Sequence, residues 1–133
     1  MIIGLGIDSI EIERFSHWHR FSNVMLRRIF SEKEIVYCLQ NETTAAERFA
    51  ARFAAREAFF KAIQTAYPTT HIPFLSICRI ISLSNAQNGS PTLLIEWDML
   101  RKLTNNEIST PLSALVSITH TRTTATACVF LQA

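Results

Sequence analysis

The sequence predicts an α+β domain, a mostly antiparallel sheet packed on one long helix. Three observations predict it. A β-branched, alternating run opens the chain, an alanine-rich helical stretch occupies its centre, and two pairs of strand-like runs follow. In residues 2–12, IIGLGIDSIEI, Ile10 and Ile12 alternate with Ser9 and Glu11, the period of a strand. Residues 13–30 scatter Arg and His among Phe, Met and Leu and read as a short helix or two helical turns. Ser31 with Glu34 three residues later is a capping box, opening a helix to about Gln40. Thr43 or Thr44 starts the long helix AAERFAARFAAREAFFKAIQ, which stops before Pro68. Runs near 76–84 and 92–97 are strand-like, and Asn88-Gly89 between them marks a hairpin. Residues 97–106 read as a helix, and 113–120 with 124–131 as two closing strands around Thr121-Arg122-Thr123.

Composition bounds the function. A chain of 133 residues that is 48% hydrophobic with nine Phe builds one core, so residues 1–133 are expected to form a single domain, and a disordered protein is excluded. A net charge of +2 gives no general reason to expect nucleic acid as a partner. Cys38, Cys78 and Cys128 are odd in number, scattered and free of CxxC spacing, which reads as reduced thiols in a cytoplasmic protein. The apolar start is followed at once by Asp8, Glu11 and Glu13 with no basic residue before it, unlike a signal peptide. The charge-poor stretches 62–78 and 80–95 contain Pro or Asn-Gly, so no membrane association is expected. With glycine only at Gly4, Gly6 and Gly89, neither a P-loop nor GxGxxG exists, and phosphate chemistry must rest on side chains and a metal.

Asp8 sits among isoleucines, a costly place for a carboxylate without a partner; facing water at the strand end is its ordinary alternative. On the long helix Phe49, Phe53 and Phe60 form an apolar stripe with Glu57 beside it and Lys61 one turn on. As an exposed i, i+4 pair Glu57 and Lys61 contribute only about 0.2–0.5 kcal/mol to the helix. Ala46, Ala50 and Ala54 on the same flank admit another element closely, so the two charged groups also suit a divalent cation and a phosphate. Arg48, Arg52 and Arg56 form an i, i+4 row whose simplest reading is a solvated flank. His120 ends a strand beside Ser117, Thr119 and Thr121, a setting unlike a transition-metal site. From Arg14 to Phe30 no acid interrupts Arg14, His17, His19, Arg20, Arg27 and Arg28, which are interleaved with aromatic and aliphatic residues. Such a segment suits an acidic protein surface.

Three segments, GLGIDSIEIERF, RFAARFAAREAFFKAI, and NGSP followed by VSITHTRTTATACVFL, resemble the holo-acyl-carrier-protein synthases, small 4′-phosphopantetheinyl transferases. The resemblance spans nearly the whole chain. It implies Mg²⁺-dependent transfer of 4′-phosphopantetheine from coenzyme A to a serine of acyl carrier protein, for fatty acid synthesis, with release of adenosine 3′,5′-bisphosphate. It also implies a homotrimer with sites between subunits. On the family's pattern Asp8 and Glu57 fall on metal-ligand positions and Lys61 on the pyrophosphate lysine. Arg52, His120 and Thr121 fall on positions that meet coenzyme A phosphates, and Arg14, Arg20, Arg27 and Arg28 lie where the carrier binds. Two departures stand out: the family's Lys-Ala-Leu-Gly-Thr-Gly is Lys61-Ala62-Ile63-Gln64-Thr65-Ala66, and its Ala-Ala-Lys-Glu is Ala54-Ala55-Arg56-Glu57. A non-catalytic carrier- or nucleotide-binding module and a Mg²⁺-dependent phosphohydrolase use the same residues and stand as alternatives. The general base is not identifiable from the sequence.

Overall fold

A computed structural model describes residues 1–108 and 111–133. Strand β1 (Ile2–Glu11) leads into two 3₁₀ turns, Ile12–Phe15 and Trp18–Arg20, then helices α1 (Asn23–Leu26), α2 (Glu32–Leu39) and α3 (Glu42–Ala66). Helix α4 (Phe74–Ile80), strands β2 (Ile81–Asn85) and β3 (Pro91–Ile95), helix α5 (Trp97–Leu103), and strands β4 (Ser113–His120) and β5 (Thr124–Gln132) complete the chain. The strands form an antiparallel sheet in the order β1-β5-β4 and a separate β2-β3 hairpin. This is the α+β arrangement expected, with α3 lying across β1 and β5.

The approach of α3 to the sheet is unusually close, and sequence explains it. Gly4 and Gly6 face the helix at Ala58 and Ala62; a methyl on Gly6 would lie 1.8 Å from the Ala58 carbonyl oxygen. Ala125, Ala127, Val129 and Leu131 of β5 continue the same surface and are fully buried. The alanine flank Ala50, Ala54, Ala58 and Ala62 is therefore buried within the chain itself. The element expected to approach this flank closely is thus the chain's own sheet, through β1 and β5. At the other end of α3 the rings of Phe15, Trp18, Phe30, Phe49 and Phe53 interlock, with Phe15 and Trp18 centroids 4.4 Å apart. That cluster anchors the otherwise irregular segment 12–30.

The opposite face of the sheet is open. Leu5, Phe130 and Leu115 align across the strands, as do Ile7, Cys128 and Ser117. Ile7 is 59% exposed and Leu115 55%.

Several elements differ from expectation. Residues 76–80 are helical rather than extended, because Phe74, Ile77, Cys78 and Ile81 at spacings of three and four turn one face toward the core. The α5 helix stops at Leu103, followed by Asn105 and Asn106 with φ of 52° and 63°, a left-handed exit that asparagine tolerates. α3 starts at Glu42, one or two residues before the expected Thr43 or Thr44, since the Asn41 side chain accepts the Thr43 N–H at 2.9 Å. The capping box at Ser31 and Glu34 is present, and Gly89 turns the β2-β3 hairpin with φ of 85°.

Candidate active site

Because side chains alternate along β1, Asp8 shares the helix-facing side with Gly4 and Gly6. The close glycine contact thus carries its carboxylate to α3. There Lys61 Nζ donates to Asp8 Oδ1 at 3.0 Å and to the Ile7 carbonyl at 3.1 Å. Asp8 is 15% exposed and Lys61 48%. The lysine thus reaches across to the strand, and among the described residues Glu57 forms no ion pair. Glu57 is half-buried one turn before Lys61. Its carboxyl is pushed above the ordinary value by burial first and by the Asp8 charge second, with Lys61 and Arg14 opposing. Two carboxylates, an ammonium and a guanidinium therefore share one electrostatic neighbourhood built from β1, α3 and the first 3₁₀ turn. One turn beyond, the Thr65 hydroxyl lies 3.2 Å from the Leu5 carbonyl and 2.9 Å from that of Lys61, tying the end of α3 to β1.

Arg52 is not part of this cluster. The arginine row is not a solvated flank: Arg56 is 1% exposed and Arg52 5%. Arg56 grips Glu34 with both terminal nitrogens, Nη1 to Oε2 at 2.8 Å and Nη2 to Oε1. It also donates to the carbonyls of Cys78 and Ile81. Burial works to raise the Glu34 carboxyl, but the Arg56 hydrogen bonds and charge, with the Ser31 bonds, hold it below its usual value. Arg52 Nε lies 3.8 Å from Glu34 Oε2 and is the one buried unpartnered side-chain polar atom among the described residues. The guanidinium also stacks 4.5 Å from the Tyr37 ring centroid. It borders a cavity of about 350 Å³ between α2 and the β2-β3 hairpin, lined also by Lys33, Ser82, Ser84 and Asn85.

His120 lies elsewhere again. Its Nε2 is 3.1 Å from Glu47 Oε1 on the first half of α3. Ser117 and Thr119 point to the open sheet face, so alternation removes them from its surroundings. Thr121 shapes the β4-β5 turn: its hydroxyl accepts the Thr123 and Thr124 N–H groups at 3.2 and 3.1 Å.

The basic segment is less free of acids in space than in sequence. Arg27 Nε pairs with Glu32 at 2.7 Å, and His19 with Glu42 at 3.1 Å. Arg14, Arg20 and Arg28 have no ion pair among the described residues, and Val24 and Met25 are exposed beside them.

A family model described as the 4′-phosphopantetheinyl transferase superfamily matches residues 4–127. The chain belongs to the 4′-phosphopantetheinyl transferase superfamily. It is 34% identical over 132 residues to a holo-[acyl-carrier-protein] synthase of Treponema denticola, covering 99% of each chain. Another, from Treponema pallidum, is 37% identical over 139 residues, covering 99% of this chain and 97% of the relative. Among solved structures, the Bacillus anthracis holo-(acyl-carrier-protein) synthase in complex with CoA (3′,5′-ADP) superposes with a TM-score of 0.73 at 29% identity, over 98% of this chain and 96% of that one.

In this transferase-superfamily chain the residues fit a divalent cation. Asp8 and Glu57 are hard oxygen donors, and their mutual repulsion, visible in the raised Glu57 carboxyl, is what a cation relieves. No cluster of three or more His, Cys, Asp or Glu occurs among the described residues, so an ion would complete its shell with water and substrate oxygens. At Gln64, Thr65 and Ala66, where the resemblance led to Gly-Thr-Gly, α3 runs on unbroken to Ala66. Sequence reasoning missed Glu34, Tyr37 and Glu47. Glu34 was visible only as a capping residue, and nothing in the sequence links Glu47 to His120, 73 positions away.

Proposed function

We propose that this chain is a holo-acyl-carrier-protein synthase, a single transferase domain that moves 4′-phosphopantetheine from coenzyme A to a serine of apo acyl carrier protein. The observation that carries this reading is the convergence of Asp8, Glu57 and Lys61 from two elements, in a chain matched by the superfamily along nearly its whole length. The serine hydroxyl gives up its proton to solvent as its oxygen bonds to the phosphorus bearing the pantetheine, the anhydride P–O bond breaks, and adenosine 3′,5′-bisphosphate leaves. Little covalent work falls to the protein; positioning and charge dominate. Asp8 and Glu57 would hold Mg²⁺, which when bound would supply positive charge against the pyrophosphate. Lys61, anchored through Asp8 but half exposed, presents its ammonium to the departing bisphosphate. Arg14 and Arg28 face the acidic carrier protein. Fatty acid synthesis in the cytoplasm is the setting, in keeping with three free cysteines.

The site is shared between copies in this reading. β1 and β4 are the two edges of the sheet, about 10 Å apart, and Glu47 and Glu57 are separated by roughly 15 Å of α3. One copy therefore does not gather Asp8, His120 and Arg52 around a single small group. The open apolar face of Leu5, Ile7, Leu115 and Phe130 supplies the surface through which three copies close a ring.

The test is incubation with coenzyme A, Mg²⁺ and apo carrier protein, followed by mass spectrometry of the carrier. A gain of one phosphopantetheine supports transfer, bisphosphate release without it indicates hydrolysis, and neither indicates a binding module. Asp8→Ala and Glu57→Ala are each expected to abolish the gain while the circular-dichroism spectrum stays folded. Mixing Arg52→Ala and Glu57→Ala proteins after mild dissociation is expected to restore activity. Mixed oligomers without activity would place both residues in one site of one subunit.

A further inference from the structure

We propose that Glu47 is a positioning residue that fixes the His120 imidazole for an anionic phosphate of the substrate; this rests on the reading of His120 as a phosphate contact. The backbone around His120 is already pinned by hydrogen bonds. Thr121 N–H donates to the Thr124 carbonyl at 2.8 Å, the Thr121 hydroxyl accepts two further N–H groups, and Ile12 N–H holds the Thr123 carbonyl at 2.8 Å. What the turn leaves undetermined is the rotation of the His120 side chain, which is about half exposed at the edge of the sheet. Glu47 supplies the missing constraint, its carboxylate paired with the imidazole at 3.1 Å between Oε1 and Nε2. With Nε2 held by the carboxylate, Nδ1 is the only ring nitrogen left for a ligand. A second partner that fixes which nitrogen faces the ligand is the way histidines are commonly oriented in binding sites.

The direction of the effect is informative because a carboxylate near a phosphate is repulsive in itself. If Glu47 acted only through its charge, removing it would tighten coenzyme A binding. If it acts by orienting His120, removing it weakens binding, and glutamine, whose carbonyl oxygen occupies the same place beside Nε2, preserves it.

The experiment measures KM for coenzyme A and kcat in Glu47→Ala, Glu47→Gln, His120→Ala and the double variant Glu47→Ala/His120→Ala, with thermal melting to confirm folding. Glu47→Ala is expected to raise KM roughly 3- to 5-fold, the upper worth of one exposed ion pair, with kcat nearly unchanged. Glu47→Gln is expected to stay within about twofold of the parent. Glu47→Ala should add nothing in the His120→Ala background. An unchanged or lowered KM in Glu47→Ala, or its full effect persisting without His120, overturns the proposal. If His120→Ala itself leaves KM unchanged, the phosphate reading of His120 fails and takes this proposal with it. If His120→Ala raises KM and Glu47→Ala does not, only the role of Glu47 fails.

Discussion

Substitution of Gly6 by alanine tests the link between fold and site. The added methyl carbon would stand 1.8 Å from the Ala58 carbonyl oxygen and 2.7 Å from the Ala62 nitrogen. Ordinary carbon–oxygen contact requires about 3.3–3.6 Å, so β1 and α3 must part by roughly 1.5 Å. Overpacking against a side chain costs about 1–3 kcal/mol, because the side chain moves. Here the obstacle is backbone on both sides, which puts the cost at about 3 kcal/mol or more, and the fall in melting temperature near 10 °C. Asp8 lies two residues along the same strand, so it shifts with β1 away from Lys61 and Glu57. A displacement on the order of 1 Å lowers transfer by about 100-fold. Urea and thermal unfolding measure the first effect and carrier mass gain the second. Gly89→Ala is the control: nothing lies within 4 Å of its added methyl, although φ is 85°. Its cost is the left-handed strain alone, about 1–2 kcal/mol. Ala58→Gly should not rescue Gly6→Ala, since the clash is with the carbonyl rather than the methyl. A Gly6→Ala protein within 1 kcal/mol of the parent by urea unfolding, with full activity, would refute the close contact and its role in placing Asp8.

Other substitutions probe the charged groups. The Glu57 carboxyl lies above its unfolded value of 4.5, so the folded protein binds more protons from there upward, and stability falls as pH rises through the folded value. Metal-free Glu57→Gln should therefore be more stable than the parent at neutral pH and similar to it below about pH 4, by urea unfolding in chelator. Glu34→Ala strands Arg56 in the core and should cost about 3–5 kcal/mol, where a loss under 1 kcal/mol would contradict the buried pair. Arg14→Glu and Arg28→Glu should raise KM for carrier protein far more than for coenzyme A, and added salt should weaken the parent's interaction. Equal carrier KM in both variants would make the segment a solubilising surface.

Periodicity and turn chemistry made most of the fold legible. The Ser31 capping box, the alanine-rich helix, the Asn88-Gly89 turn and the closing strand pair all lie where those local signals put them. Short β-branched runs carried less. Ile77 and Ile80 read as strand, but the burial of one face decides for helix, and that is a tertiary matter. In the site, Asp8, Glu57 and Lys61 stand out from their local setting alone. Their pairing does not: the i, i+4 rule links Lys61 to Glu57, whereas the Gly4 and Gly6 contact brings Asp8 within its reach. The arginine row misled for the same reason. Nothing near Arg56 in sequence announces that Glu34, 22 residues earlier, comes to rest beneath it. The acids that quench Arg27 and His19, Glu32 and Glu42, likewise arrive from outside the segment that lacks them.

In the proposed ring, the open side of the three-stranded sheet would make the stability of this chain a matter of mass action. If the proposed ring forms, a protomer leaving it uncovers Leu5, Ile7, Leu115 and Phe130 together, and the free energies of folding and assembly are then coupled. Melting temperature should then climb with protein concentration, and dilution alone should loosen a molecule whose every internal contact is unchanged. A cell making few copies would hold more of the chain in the weaker, solitary form than one making many. Abundance, rather than any regulator, would set how much of it can work.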